Sequence, residues 1–312
     1  MSSFENLDPF LSIKLNNGEQ QFLDISDSGT HGQFHELPYC DNIITNHVQG
    51  YTQCGDDTVC ILTHSMDSGG GCIFIQTNLP SSRKKTLKFR TENGWNHPGG
   101  IQTIGQYLFV PCEKSKKSRV FVYSLAELNQ DKLPLVKVLD FKHEAGALGI
   151  TDFTINNEPY YLLLIGDQNT YHGYIAKVPK DISQLSFGSV GDFYLVVDGE
   201  KIQCQGFGLV TDVYNRIYMV ALVSFTSFWA TTYDDCAHLL MIHVTSGVVG
   251  YSNIKMKRHF YSKGGISGVD GTHFRWGAGI RIQPREKTGK LVVLGTSRNI
   301  IAGTFLDSNH WI

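Results

Sequence analysis

Apolar residues in this chain come in short runs separated by turn residues, with no stretch of helical period long enough to dominate. Grouped along the chain, the runs fall into fours. Residues 51–53, 59–63, 72–76 and 86–90 form one group, and 101–104, 107–111, 119–124 and 136–141 a second. A third comprises 147–155, 160–165, 173–178 and 193–197, and a fourth 207–213, 217–223, 239–244 and 254–261. The last holds only 278–282, 291–295 and 300–305, one strand short, and the missing strand is expected at 10–14 or 22–25. Asn16-Asn17-Gly18, Asn156-Asn157-Glu158, Asp198-Gly199 and Lys287-Thr288-Gly289 fall between apolar runs, where turn chemistry belongs. Residues 125–130 are expected to make a turn or two of helix.

A motif marks the start of these groups. It reads His47-Val-Gln-Gly50, His97-Pro-Gly-Gly100 and His143-Glu-Ala-Gly146, with echoes at Gln203-Cys-Gln-Gly206 and Phe274-Arg-Trp-Gly277. The glycines are 50, 46, 60 and 71 residues apart. A repeat of that period in a strand-rich chain predicts a radial array of small sheets. The layout resembles β-propeller proteins over nearly the whole chain. The expected fold is all-β: one domain, 1–312, of five four-stranded blades closed by an N-terminal strand, with six blades as the alternative.

Composition narrows the partners. Lys and Arg number 27 against 29 Asp and Glu, which gives no electrostatic basis for binding nucleic acid or an anionic membrane. No apolar run approaches the roughly 20 residues of a spanning helix. The first residues lack the basic-then-apolar pattern of a secretory leader. The seven cysteines are odd in number and form no Cys-x-x-Cys pair, so reduced thiols and a cytoplasmic location are expected.

Within an antiparallel blade, the start of the innermost strand and the end of the second lie on the same face. First-strand starts contribute His47, His97, His143, Gln203, Gln205, His273, Arg275 and Trp276; second-strand ends contribute His64, Glu113, Asp167, Ser224 and Arg298. Blades that agree in apolar pattern thus differ in polar residue, as a shaped ligand site requires. His47, His97 and His143 form a candidate site for a divalent transition metal such as iron, zinc or copper. The competing reading ties them into loops by hydrogen bonds, as a histidine before the inner strand does in propellers of the WD-repeat kind. Glu113, Asp167 and His64 are the candidate acid–base groups. Arg275, Trp276 and Arg298 are candidates for holding an anionic or aromatic group, and Trp95 and Trp229 for walling the pocket. The aromatic insertion 224–235 falls on the same face, as a lid or recognition loop.

Other motifs fail. Gly69-Gly-Gly71 lacks the strand–loop–helix setting of a phosphate loop, and no Gly-x-Ser-x-Gly elbow occurs. Five-bladed glycoside hydrolases offer an enzymatic comparison, with Asp8, Glu113 and Asp167 set beside their carboxylates. Propeller lectins offer the binding comparison, but they repeat one sugar pocket per blade, whereas these blades diverge. Two functions follow as expectations. One is a soluble enzyme with a small-molecule site on the channel face, possessing a three-histidine metal site and acting as hydrolase, lyase or metal-dependent oxidoreductase. The other is a non-enzymatic propeller binding a glycan or protein through Trp95, Trp276 and Trp229.

Overall fold

The computed structural model describes residues 8–35, 37, 46–54, 59–78, 84–167, 169–197, 199–204, 206–226, 233–261, 272–285, 288–298 and 305–312. Antiparallel strands make up most of it. Val48–Cys54, Val59–His64, Cys72–Asn78 and Lys84–Arg90 form one meander. In the next, His97–Pro98 and Gln102–Ile104 both pair with Tyr107–Glu113, which is followed by Ser118–Ser124 and Leu135–Phe141. Ala147–Ile155, Glu158–Asp167, Thr170–Lys177 and Gly188–Tyr194 form the third. Gly206–Thr211, Ile217–Thr226, Tyr233–Thr245 and Val248–Phe260 form the fourth. The last consists of His273–Arg285, Thr288–Thr296 and Phe305–Trp311, completed by Thr30–His35.

Each meander begins with its innermost strand, and these strands touch in cyclic order. Gly50 bridges Ala278 in parallel, and Gly100 bridges Ala147. The strand Ala147–Ile155 contacts Gly206–Thr211, which contacts His273–Arg285. The fold is a β-propeller. The ring leaves little room at four of the five repeated glycines. An added Cβ at Gly50, Gly100, Gly206 or Gly277 would lie 3.0 Å or less from a neighbouring strand, whereas at Gly146 the nearest atom is 3.8 Å away. A Cβ on Gly99 would lie 2.2 Å from the Gly146 carbonyl oxygen, and one on Gly50 would lie 2.7 Å from that of Gly99. Neighbouring inner strands pack backbone against backbone, so a side chain has no room at the crossing. Between blades, inward rows interdigitate: Ile61, Ile73 and Ile75 of the first sheet share a buried cluster with Leu108, Val110 and Phe121 of the second.

The closing strand differs from expectation. Thr30–His35 pairs along its length with Phe305–Trp311, from Thr30↔His310 to His35↔Phe305. Residues 22–25 instead end a helix, Gly18–Asp24, capped by the Asn17 side chain accepting from the Gln20 amide, with Phe22 buried. Residues 8–15 cross the ring on the side away from the histidines. Gln106 N–H donates to the Pro9 carbonyl, the Tyr161 hydroxyl to that of Phe10, and Leu15 N–H to that of Thr211. Asp152, 3% exposed, accepts from the Ser12 amide at 2.6 Å, the Ser12 hydroxyl at 2.5 Å and the Lys14 ammonium at 2.6 Å. Burial lowers the Lys14 pKa, and Asp152 opposes that shift. The axis itself holds Gln102. Its Oε1 accepts from Ile150 and Leu209 amides, both at 3.0 Å, and its Nε2 donates to the Leu209 carbonyl at 2.7 Å. One side chain thereby joins three inner strands.

Candidate functional site

The strand register places starts of first strands opposite ends of second strands: Val48↔His64, His97↔Glu113, Ala147↔Gly166 and His273↔Thr296. The candidate residues at these ends therefore share one face, but they separate into two neighbourhoods.

The first is a chain of polar contacts. His97 Nδ1 is 2.7 Å from Glu113 Oε1. The Gln49 amide nitrogen lies 3.0 Å from His97 Nε2 and 3.0 Å from His47 Nε2. In the tautomer with the proton on His97 Nδ1, the Nε2 atoms of His97 and His47 can accept from the two amide hydrogens of Gln49. Gln49 reaches both rings because it is the extra residue of a β-bulge: the register passes from Val48↔His64 to Gly50↔Thr63. His97 remains open to solvent, its side chain 42% exposed, and Glu113 is 26% exposed.

A second irregularity builds the adjoining wall. Between His273↔Thr296 and Ala278↔Gly295 the inner strand carries extra residues, and Arg275 and Trp276 lie in this stretch. The Trp276 ring meets the His47 ring edge-on at 5.4 Å between centroids. The guanidinium of Arg275 lies 5.3 Å from the Trp276 centroid and that of Arg298 4.9 Å. The Arg298 carbonyl accepts from Val48 N–H, which fixes its backbone beside the first blade. The indole thus gathers two cations beside the imidazole network. Sequence reasoning did not single out Asp235, which is buried, holds His273 Nδ1 at 2.9 Å and accepts from Phe274 N–H at 3.1 Å. Its signal was available in Asp234-Asp235, an acidic pair at the end of an aromatic insertion.

The second neighbourhood holds His143 and Asp167. His143 Nε2 is 2.7 Å from the Tyr174 hydroxyl, its Nδ1 is 2.8 Å from the Glu144 carbonyl, and its ring stacks on His172 at 3.7 Å. Burial, with the nearby His172, lowers its pKa. His172 in turn bonds Asp192 at 2.8 Å. The expected three-histidine cluster is therefore divided: His47 and His97 share Gln49, whereas His143 is held by Tyr174. Among the described residues no group of three or more His, Cys, Asp or Glu side chains is arranged to hold a metal.

Several other candidates are buried or lie on another face. His64 is 3% exposed, its Nδ1 lies 2.6 Å from the Ser65 carbonyl, and burial lowers its pKa to about 4. Trp95 is buried against Phe121, with Arg119, Lys114 and Lys117 over its ring. Asp8 caps the Phe10 and Leu11 amides beside Gly105, at the opposite end of strand Tyr107–Glu113 from Glu113. The carboxylate trio suggested by glycoside hydrolases is thus split between faces. Trp229, Gln205 and the middle of the aromatic insertion lie outside the described residues.

No protein-family model matches the chain. No curated protein sequence matches it either. Solved structures do. One is a periplasmic gluconolactonase of Pseudomonas aeruginosa, 10% identical with a TM-score of 0.37, covering 68% of this chain and 72% of that one. Another is the Bacteroides ovatus xyloglucan PUL protein GH43B, 12% identical with a TM-score of 0.38, covering 87% of this chain. This chain spans 59% of the length of the Bacteroides protein. The cytoplasmic location expected from the cysteines differs from that of the Pseudomonas protein, which is periplasmic. The thiols do not decide a compartment: the six described cysteines are free, and Cys72, Cys112 and Cys236 are buried, where neither oxidant nor partner reaches them.

Proposed function

We propose that this propeller is an enzyme that activates water or a substrate hydroxyl at His97 and holds an anionic group of a small substrate with Arg275 and Arg298. The observation that carries the reading is the Glu113–His97–Gln49–His47 chain, solvent-open at His97. Glu113 fixes the His97 tautomer and stabilises the imidazolium that forms when Nε2 takes a proton. For a hydroxyl to reach that Nε2, the Gln49 amide must yield one of its two hydrogen bonds. His47 then keeps Gln49 from swinging away. The two guanidiniums over Trp276 supply positive charge beside this point for a carboxylate or a developing oxyanion. The reaction class is hydrolysis, with His97 as general base toward water.

The test is turnover by wild-type protein of a panel of lactones, carboxylic esters and aryl glycosides, with and without an acidic substituent. Hydrolysis lost in His97→Gln supports the reading; hydrolysis unchanged in that variant overturns it. Elemental analysis of wild type beside His47→Ala/His97→Ala decides whether these imidazoles take up iron, zinc or copper in place of the Gln49 amide.

A further inference from the structure

We propose that a second cleft on this face, between the second and third blades, binds an acidic saccharide, a sugar ring carrying a carboxylate. The cleft is open, about 600 Å³ in volume, and uses none of the residues of the Gln49 network. The size suits a ligand of one to three sugar rings.

Its chemistry is mixed in a specific way. Lys116, Lys142 and Lys201 line it together with Asp167 and Glu144. Glu144 is engaged, its Oε1 accepting from the Lys116 backbone amide at 3.0 Å. Among the described residues no carboxylate forms an ion pair with any of the three lysines, and Asp167 makes no side-chain hydrogen bond. Three ammonium groups sharing a cleft repel one another, and an arriving carboxylate relieves that repulsion. A bare inorganic anion fits less well, because Asp167 stands among the cations and has only lone pairs to offer. A ring that presents hydroxyl donors to Asp167 and a carboxylate to the lysines satisfies both.

The wall supplies the third element. Tyr194 is 55% exposed and lines the cleft, with the Lys201 ammonium 4.5 Å from its ring centroid. An exposed aromatic ring offers a flat apolar surface to the C–H face of a sugar. His143, anchored by Tyr174 and the Glu144 carbonyl, forms a fixed edge of the floor. Charge, hydroxyl acceptor and aromatic surface thus converge on one ligand class.

Isothermal titration calorimetry with trigalacturonate, maltotriose and inorganic sulfate tests this directly and needs no turnover, so its result is independent of the acid–base reading. Trigalacturonate is expected to bind saturably, at least tenfold more tightly than either maltotriose or sulfate. Lys142→Gln/Lys201→Gln is expected to weaken it by roughly tenfold or more, and Tyr194→Ala by severalfold. Thermal midpoints equal to wild type establish that the variants fold; a double variant that does not fold is replaced by the single changes Lys116→Gln and Lys142→Gln, with the same expectation. No saturable binding of trigalacturonate overturns the proposal. So does unchanged affinity in the folded variants, or sulfate binding as tightly as the trisaccharide.

Discussion

His97 and Glu113 face each other twice: as strand partners at the mouth of the second blade, and through a 2.7 Å contact between Nδ1 and Oε1. Backbone pairing therefore holds the carboxylate and the imidazole in place before any ligand arrives. Under the proposed function, Glu113→Gln removes the charge that stabilises the His97 imidazolium but leaves the geometry. Turnover is expected to fall by roughly 10²–10⁴ with KM little changed. His97→Gln should cost a similar factor, and the double variant little more than either alone, because the two act as a unit. Steady-state kinetics of the three variants check this.

The inner-strand glycines make a stability prediction that does not depend on function. Gly99→Ala places a methyl group 2.2 Å from a backbone oxygen of the next blade, and neither strand can retreat without opening the ring. A loss of more than about 3 kcal/mol, or failure to fold, is expected. Gly250→Ala, where no atom lies within 4 Å of the added Cβ, should change stability by less than about 1 kcal/mol. Urea unfolding of both variants measures the contrast.

Acid sensitivity should trace in part to His64. Its folded pKa is lowered to about 4 by burial, from an ordinary 6.5. The unfolded chain thus takes up a proton that the folded chain refuses, and stability falls as pH drops from about 6.5 toward 4. The contribution is on the order of 3 kcal/mol across that window. Unfolding free energies of wild type and His64→Asn between pH 4 and 7.5 should diverge in slope there, the variant being flatter. An identical slope would remove His64 from the account.

Asp152 carries the N-terminal crossing. Asp152→Ala strips the Ser12 amide, the Ser12 hydroxyl and the Lys14 ammonium of one shared acceptor. A destabilisation on the order of 3 kcal/mol is expected, since a partly buried cation loses its partner. Limited proteolysis should show cleavage within 8–15 appearing in the variant and absent from wild type.

The fold was legible in the sequence because blades repeat both apolar rows and crossing glycines: the second strand of each group lies where the apolar run predicts it. The closing strand was hidden. Thr30–His35 is an outermost strand, and in Thr-His-Gly-Gln-Phe-His only Phe34 is a large apolar residue sunk in the core, so it leaves almost no alternation to read. The more apolar 22–25 attracted the assignment because Phe22 and Ile25 are buried from a helix and its cap. At the site, spacing placed His97 and Glu113 on one face, since strand pairing alone determines that. Gln49 was not legible as the bridge between two histidines, because its reach depends on a bulge of one residue. Nor was the separation of His143, set by Tyr174 from a third strand.

Thr30 pairs with His310, a sequence separation of 280 residues. During synthesis, the ring consequently stays open until residues near 311 have left the ribosome, whatever the earlier blades have achieved. Until then the strand Phe305–Trp311 and its future partner are both incomplete edges, and the nascent chain is exposed to pairing with another copy of itself. Closure of so long a loop also places the slowest step at the end of folding. The rate of maturation is thus expected to follow the meeting of Thr30–His35 with Phe305–Trp311, and growth temperature or chaperone supply should affect yield more than final stability does.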